Sequence, residues 1–241
     1  MIAGTKAETV IAIIEKNPLK QRNLNTKMTL DMAGNMGLIA KKSFPNATRV
    51  IDRFHVQKLA TEALQEIRIK YRWQAIDREN EALEKAKKNK KRFEPAVLVN
   101  GDTVKQLLAR SRYFLYKNKS KWTANQLQRA LLLFELYPDI KEAYNLSQGL
   151  RNIFENTTDK IIGFARLAKW HEKVNQSGFK SFNTISRTII NHYQNILNYF
   201  DNRSTNASAE SFNAKIKAFR SQFRGVRNIE FFLFRLTNIY A

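Results

Sequence analysis

Asp31, Asp52 and Glu210 are the carboxylates whose surroundings could do chemistry. Asp31 closes the run Lys27-Met-Thr-Leu and Asp52 closes Thr48-Arg-Val-Ile. Both runs read as short strands, so both carboxylates fall at carboxyl strand ends, where open α/β sheets place ligands. Glu210 lies in Asn206-Ala-Ser-Ala-Glu-Ser-Phe-Asn-Ala-Lys-Ile-Lys217. On a helix, Phe212, Ile216, Phe219 and Phe223 gather within about 60° as an apolar stripe. Asn213, Lys217, Arg220 and Arg224 lie on an adjoining face, and Glu210 projects from it in the first turn. From Ser211 to Ile229 the sequence has five basic residues, Lys215, Lys217, Arg220, Arg224 and Arg227, and no acid. Handling a phosphodiester needs such a set: a hard oxygen ligand for a divalent cation, with phosphate-binding groups close by. Spacing alone favours the plainer reading, in which Glu210 offsets the helix dipole and pairs with Lys217 or a neighbour. Asp31 and Asp52 could likewise cap the turns that follow them. His55, three residues after Asp52, could bond that carboxylate or reach a phosphate. His171 and His192 have no metal-ligand spacing.

Charge narrows the partner. Lys plus Arg number 42 against 21 Asp plus Glu, a net +21 in 241 residues spread along the whole chain. A field of this size favours a polyanion, most simply the backbone of DNA or RNA. The chain has no Cys, which excludes disulfides, thiolate zinc sites, Fe–S clusters and cysteine nucleophiles. No phosphate-binding loop and no nucleophile elbow occurs. No apolar run approaches the ~18–20 residues that cross a bilayer, and the first residues lack a secretory layout. The expectation is a soluble cytoplasmic protein with no membrane partner.

The elements that position these residues divide along the chain. The first sixty residues read as α/β: a helix over Ala7–Ile14 broken at Asn17-Pro18, the two strands, and a helix over Asn35–Ser43 closed by Pro45. Strand, helix and strand with tight loops predict a right-handed βαβ unit with parallel strands. From Val56 the pattern turns helical and runs to the basic cluster Lys85–Arg92. Further helices are predicted over Val104–Lys117, Ala124–Tyr137, Ile140–Asn156, Thr158–Val174, Phe182–Phe200, Ser208–Arg224 and Ile229–Tyr240. Eight Gly and four Pro are few, consistent with long helices. Tyr71, Trp73, Tyr113 and Tyr116 follow helical spacing and are expected in the core, while Arg68, Lys70, Arg72, Arg110 and Arg112 could track a nucleic-acid backbone.

Val50-Ile-Asp-Arg-Phe-His-Val56, with Leu30-Asp-Met and Phe44-Pro-Asn-Ala before it, resembles bacterial insertion-sequence transposases of the ISL-three family. Arg203-Ser-Thr-Asn-Ala-Ser-Ala-Glu-Ser-Phe-Asn-Ala-Lys-Ile-Lys217 carries the same likeness, and Asn100-Gly-Asp-Thr and Lys121-Trp-Thr resemble the helical insertion between. The resemblance implies a mostly helical α/β fold: an incomplete RNase H-like domain interrupted by a large all-helical insertion. Residues 1–58 would be the partial core with the second Asp, 59–195 the insertion, and 196–241 the closing helices with the Glu. It further implies an Asp-Asp-Glu triad holding two Mg²⁺ (or Mn²⁺) ions, with Asp31 as second Asp and Glu210 as Glu. Asp52, His55 and Asn213 would support them. DNA, as transposon ends and target, would be the partner, with a homo-oligomer in a synaptic complex and a nucleoid-associated location. Family members are longer at the amino end, where the first Asp stands, and neither Glu8 nor Glu15 replaces it. The chain is therefore expected to be a carboxyl-terminal portion that cleaves no DNA alone. The rival expectations are a non-catalytic DNA-binding fragment that regulates or inhibits a full-length transposase, and a helical RNA-binding protein.

Overall fold

The computed structural model describes residues 6–203, 205, 207–222 and 228–240. Helices α1 (Ala7–Ile14) and α2 (Leu19–Arg22) flank Pro18, followed by β1 (Lys27–Leu30), α3 (Gly34–Ser43) and β2 (Thr48–Ile51). Pro45 disfavours helical geometry in Phe44, which leaves α3 at φ −133°. β1 and β2 pair in parallel, from Lys27 opposite Thr48 to Leu30 opposite Ile51. Parallel strands need a crossover, and α3 supplies it. Ile11 of α1 packs with Ile39 of α3. Arg22 donates from Nη1 to Ser43 O at 2.6 Å, a cation at the carboxyl end of α3.

Eight further helices complete most of the order: α4 (Arg53–Lys88), α5 (Val104–Arg110), α6 (Ala124–Leu136), α7 (Pro138–Glu155), α8 (Lys160–Ser177), α9 (Lys180–Asn191), α10 (Tyr193–Leu197) and α11 (Tyr199–Asn202). α12 (Ala207–Gln222) and α13 (Ile229–Tyr240) close it. The fold is mostly helical with one small parallel sheet, an α/β pattern. No helix among the described residues is long and apolar enough to cross a membrane. The chain forms two compact units, residues 1–55 with 194–241, and residues 56–193.

In the first unit, Leu30, Val50 and Ile51 of the strands and Ile196, Leu197, Tyr199 and Phe200 are buried. Thr48 and Asp52 N–H both donate to the β1 side, so the Arg49 carbonyl faces the other edge of β2. Asn198 Nδ2 donates to it at 2.9 Å and blunts that edge. Phe219 of α12 is buried against Phe232 of α13, ring centroids 5.4 Å apart. The stripe expected on α12 is covered only in part: Ile216 is half-buried and Phe212 is 44% exposed. Phe223 lies outside the described residues.

In the second unit, Leu64, Leu107, Leu108, Phe114, Leu133 and Phe154 are buried. The helix predicted over Val104–Lys117 stops at Arg110, and side chains from elsewhere explain why. Arg68 Nη1 and Ser111 Oγ both donate to Leu108 O. Trp122 Nε1 takes Phe114 O at 2.8 Å, Arg151 Nη2 takes Tyr116 O at 2.7 Å, and Tyr144 takes Lys117 O at 3.0 Å. With its carbonyls satisfied from outside, the segment has no need of helical bonds. The helix predicted over Phe182–Phe200 is likewise interrupted, at His192 and Asn198. Gly178, at φ +70°, ends α8 in the left-handed conformation that glycine adopts without steric cost.

Asp102 organises the loop before α5. It is 1% exposed and accepts from Arg110 and, at 2.7 Å, from Arg129 Nε of α6. Removing a buried carboxylate that two guanidiniums share leaves both cations without their partner. Asp102→Ala is expected to lower the unfolding free energy by about 3 kcal/mol, read from the urea midpoint. Asp102→Asn should lose less.

Candidate functional site

Asp31 and Asp52 follow the last paired residues of β1 and β2, so the ladder sets them side by side at the carboxyl edge of the sheet. Neighbouring strands lie about 4.8 Å apart, which makes the two residues backbone neighbours. Their surroundings then diverge. Asp52 is fully buried; its N–H donates to Leu30 O at 2.9 Å and its Oδ1 accepts Phe54 N–H at 2.9 Å. That is the bond of a helix N-cap, here at the start of α4. Asp31 is half-buried, and its Oδ1 accepts Ala33 N–H at 2.9 Å in an Asx turn ahead of α3. Among the described residues Oδ2 of Asp31 accepts nothing. A half-exposed carboxylate with one oxygen open is a hard ligand suited to a small divalent cation. Asp52, whose Oδ1 already serves the helix start, is the less available of the two.

His55 stands in the first turn of α4, half-buried, its N–H on Asp52 O at 3.1 Å. Glu210 lies on α12, in the same compact unit as Asp31. Asn213, Lys215, Lys217 and Arg220 follow it on that helix and are exposed. Arg224 and Arg227 lie outside the described residues. No group of three or more His, Cys, Asp or Glu side chains that could hold a metal occurs among the described residues. Of the two aspartates at the sheet edge, half-buried Asp31 is the one with a carboxylate oxygen open to a cation.

Other basic and aromatic residues sort by burial rather than by sequence spacing. Arg68 is buried, with Nε on Gln65 Oε1 at 2.6 Å. Burial, and then the nearby charges of Arg72 and Arg112, push its pKa below the usual arginine value. Arg110 is engaged by Asp102. Only Lys70, Arg72 and Arg112 of the five remain exposed without such a partner; Arg112 lies over the Tyr113 ring at 4.7 Å. Trp73, Tyr113 and Tyr116, expected in the core, are 60%, 56% and 48% exposed. The residues of these runs that are buried instead are Ala75, Phe114 and Leu115. His171 is satisfied by Ser186 Oγ and Asn175 Nδ2. Sequence reading passed over the cations Arg166, Lys169 and Lys173, whose spacing puts them on one face of α8.

The two aspartates make a contrast that a melt can read. Asp52→Ala removes a buried cap and should cost about 1–2 kcal/mol of stability. Asp31→Ala opens only a half-exposed turn and should cost a few tenths. Equal destabilisation by both would contradict this division.

Searches of curated proteins and of solved structures returned no match. The sequence profile of the ISL3 group of DDE transposases, described as Transposase, matches residues 1–236. With a match over nearly its whole length, the chain belongs to the ISL3 family of transposases.

Proposed function

We propose that this chain supplies two of the three carboxylates of a DNA-cleaving and strand-transferring centre, Asp31 and Glu210. Transposases act on DNA, and the DDE group uses divalent metal ions. The observation that carries the reading is the parallel β1–β2 pairing, with a half-exposed, one-sidedly bonded Asp31 at its carboxyl edge. Residues 1–58 and 196–241 form an RNase H-like core in this reading, and 59–195 its helical insertion. The first compact unit, built from both ends of the chain, supports it.

Asp31 and Glu210 would hold Mg²⁺ or Mn²⁺, two ions once a third carboxylate on a strand alongside β1 joins them. Bound, such ions stabilise the attacking and leaving oxygens of an in-line displacement. The protein's own groups do the rest. Asp52 fixes the start of α4 beside Asp31, and His55 rides on that first turn. Asn213 supports Glu210 from the same helix. Lys215, Lys217, Arg220, Arg224 and Arg227 hold the DNA backbone in register. Water attacks phosphorus, the P–O3′ bond breaks, and the departing oxygen takes a proton to become a 3′-hydroxyl. That hydroxyl then attacks a target phosphodiester in the same geometry. Two copies, one per transposon end, would assemble a synaptic complex, in the cytoplasm at the nucleoid.

A chain of these 241 residues alone has two of three ligands and is expected to be inert as a nuclease. It would still occupy DNA, and a regulatory or inhibitory role toward a full-length transposase follows from the same charge. Cleavage of a supercoiled plasmid with Mg²⁺ or Mn²⁺ tests this. The short chain should leave the plasmid intact. A version extended upstream to carry the third carboxylate should nick it, and Glu210→Ala should abolish nicking by at least about a hundredfold. Nicking by the short chain would mean that its metal site is already complete and that one carboxylate is misassigned.

A further inference from the structure

A groove of 480 Å³ runs between α7 and α8, wholly within the unit 56–193. A second pocket of 360 Å³ at the α7–α8 turn shares Ile153 and Arg166 with it. Its walls differ in chemistry. α8 lines one with Arg166, Lys169 and Lys173, at spacings that stack them along a single helix face. The other wall carries Glu142 and Asn145 of α7, while Asn152 and Asn156, bonded to each other at 2.9 Å, line the second pocket. Leu146 and Ile153 make an apolar floor with Trp170, whose Nε1 is fixed on Leu146 O at 2.8 Å. Gly149 keeps the space beside the indole open. A Cβ there would stand 3.7 Å from Trp170 Cδ1, an ordinary contact, and a longer side chain would occupy the space.

The cations of the groove, Arg166, Lys169 and Lys173, outnumber its single acid, Glu142. Arg166 is held by Nη1 on Asn156 O and Thr157 Oγ1, both at 2.8 Å. Lys169 and Lys173 stand one turn apart, a like-charge pair that repels. Neither makes an ion pair among the described residues, and Glu142 is the one acid lining the groove. A row of positive charge with an apolar floor suits a ligand that has both phosphates and a flat exposed ring face. The facing amide of Asn145 adds a donor and an acceptor for the ring's polar edge. Duplex DNA stacks its base faces away, whereas an unpaired strand offers them.

We propose that the α7–α8 groove binds an unpaired DNA strand. The α8 cations take backbone phosphates, a base lies on the floor beside Trp170 and Gly149, and Asn145 meets its edge. The inference rests on the reading of DNA as partner and adds a second contact, separate from the carboxylate edge.

Fluorescence anisotropy of the full chain with a labelled single-stranded oligonucleotide tests it, in EDTA so that the metal site plays no part. Lys169→Glu with Lys173→Glu should weaken binding at least tenfold. It should also reduce the salt slope by roughly 1.4, two phosphates at about 0.7 each. Gly149→Leu should weaken binding about fivefold or more, because its side chain fills the seat of the base, with the slope unchanged. Gly149→Ala should bind as the parent does, and circular dichroism should find all variants equally helical. An oligonucleotide with abasic sites should bind the parent as weakly as the intact strand binds Gly149→Leu. Unaltered binding by Gly149→Leu would overturn the proposal, leaving a merely cationic surface. Competition by polyglutamate as strong as by the oligonucleotide would also overturn it, in favour of an acidic peptide. Failure of the catalytic reading shows instead in metal-dependent plasmid cleavage, so the two fall separately.

Discussion

The four-rung parallel ladder between β1 and β2 is the constraint on which the candidate site depends. Register in a sheet is all or nothing: a slip of one residue turns every side chain to the opposite face. Here the register leaves Asp31 and Asp52 as the next pair beyond the ladder. The bond from Asp52 N–H to Leu30 O extends the pairing to that point. One aspartate then goes inward and fastens a helix, while the other stays at the surface with an open oxygen. Two residues of one type, at equivalent strand positions, thus acquire different chemistry from burial alone.

The second unit holds itself together by polar groups brought in to meet a backbone that has left the helix. Arg68, Trp122, Tyr144 and Arg151 each satisfy a carbonyl between Leu108 and Lys117. Asp102 gathers Arg110 and Arg129 from two helices. Basic residues are therefore of two kinds. Those turned inward serve the fold, and those left exposed, on α4 and α8 in one unit and on α12 in the other, are the charges a polyanion would meet.

Much of this was legible in the sequence for identifiable reasons. Pro18 and Pro45 bounded the first helices, β-branched residues marked the strand at Thr48–Ile51, and helical periodicity outlined α6, α7, α8 and α13. Spacing placed both aspartates at strand ends, but it could not say which would be buried, because burial is set by tertiary packing and not by strand position. It carried the helix of Val104 too far, since residues 107, 108, 111, 114 and 115 keep helical period while distant side chains take their carbonyls. The groove escaped notice because its two walls are separated in sequence and only the packing of α7 on α8 joins them. Arg166, Lys169 and Lys173 were a signal that, taken alone, resembled any solvated helix face.

In the proposed centre Asp31 and Glu210 share a divalent cation, and electron paramagnetic resonance of Mn²⁺ titrated into the full chain reads that binding. Weak binding is expected that disappears in Asp31→Ala and in Glu210→Ala, and that persists in the isosteric Asp52→Asn. Binding that survives both Asp31→Ala and Glu210→Ala, or that vanishes only with Asp52→Asn, would contradict it.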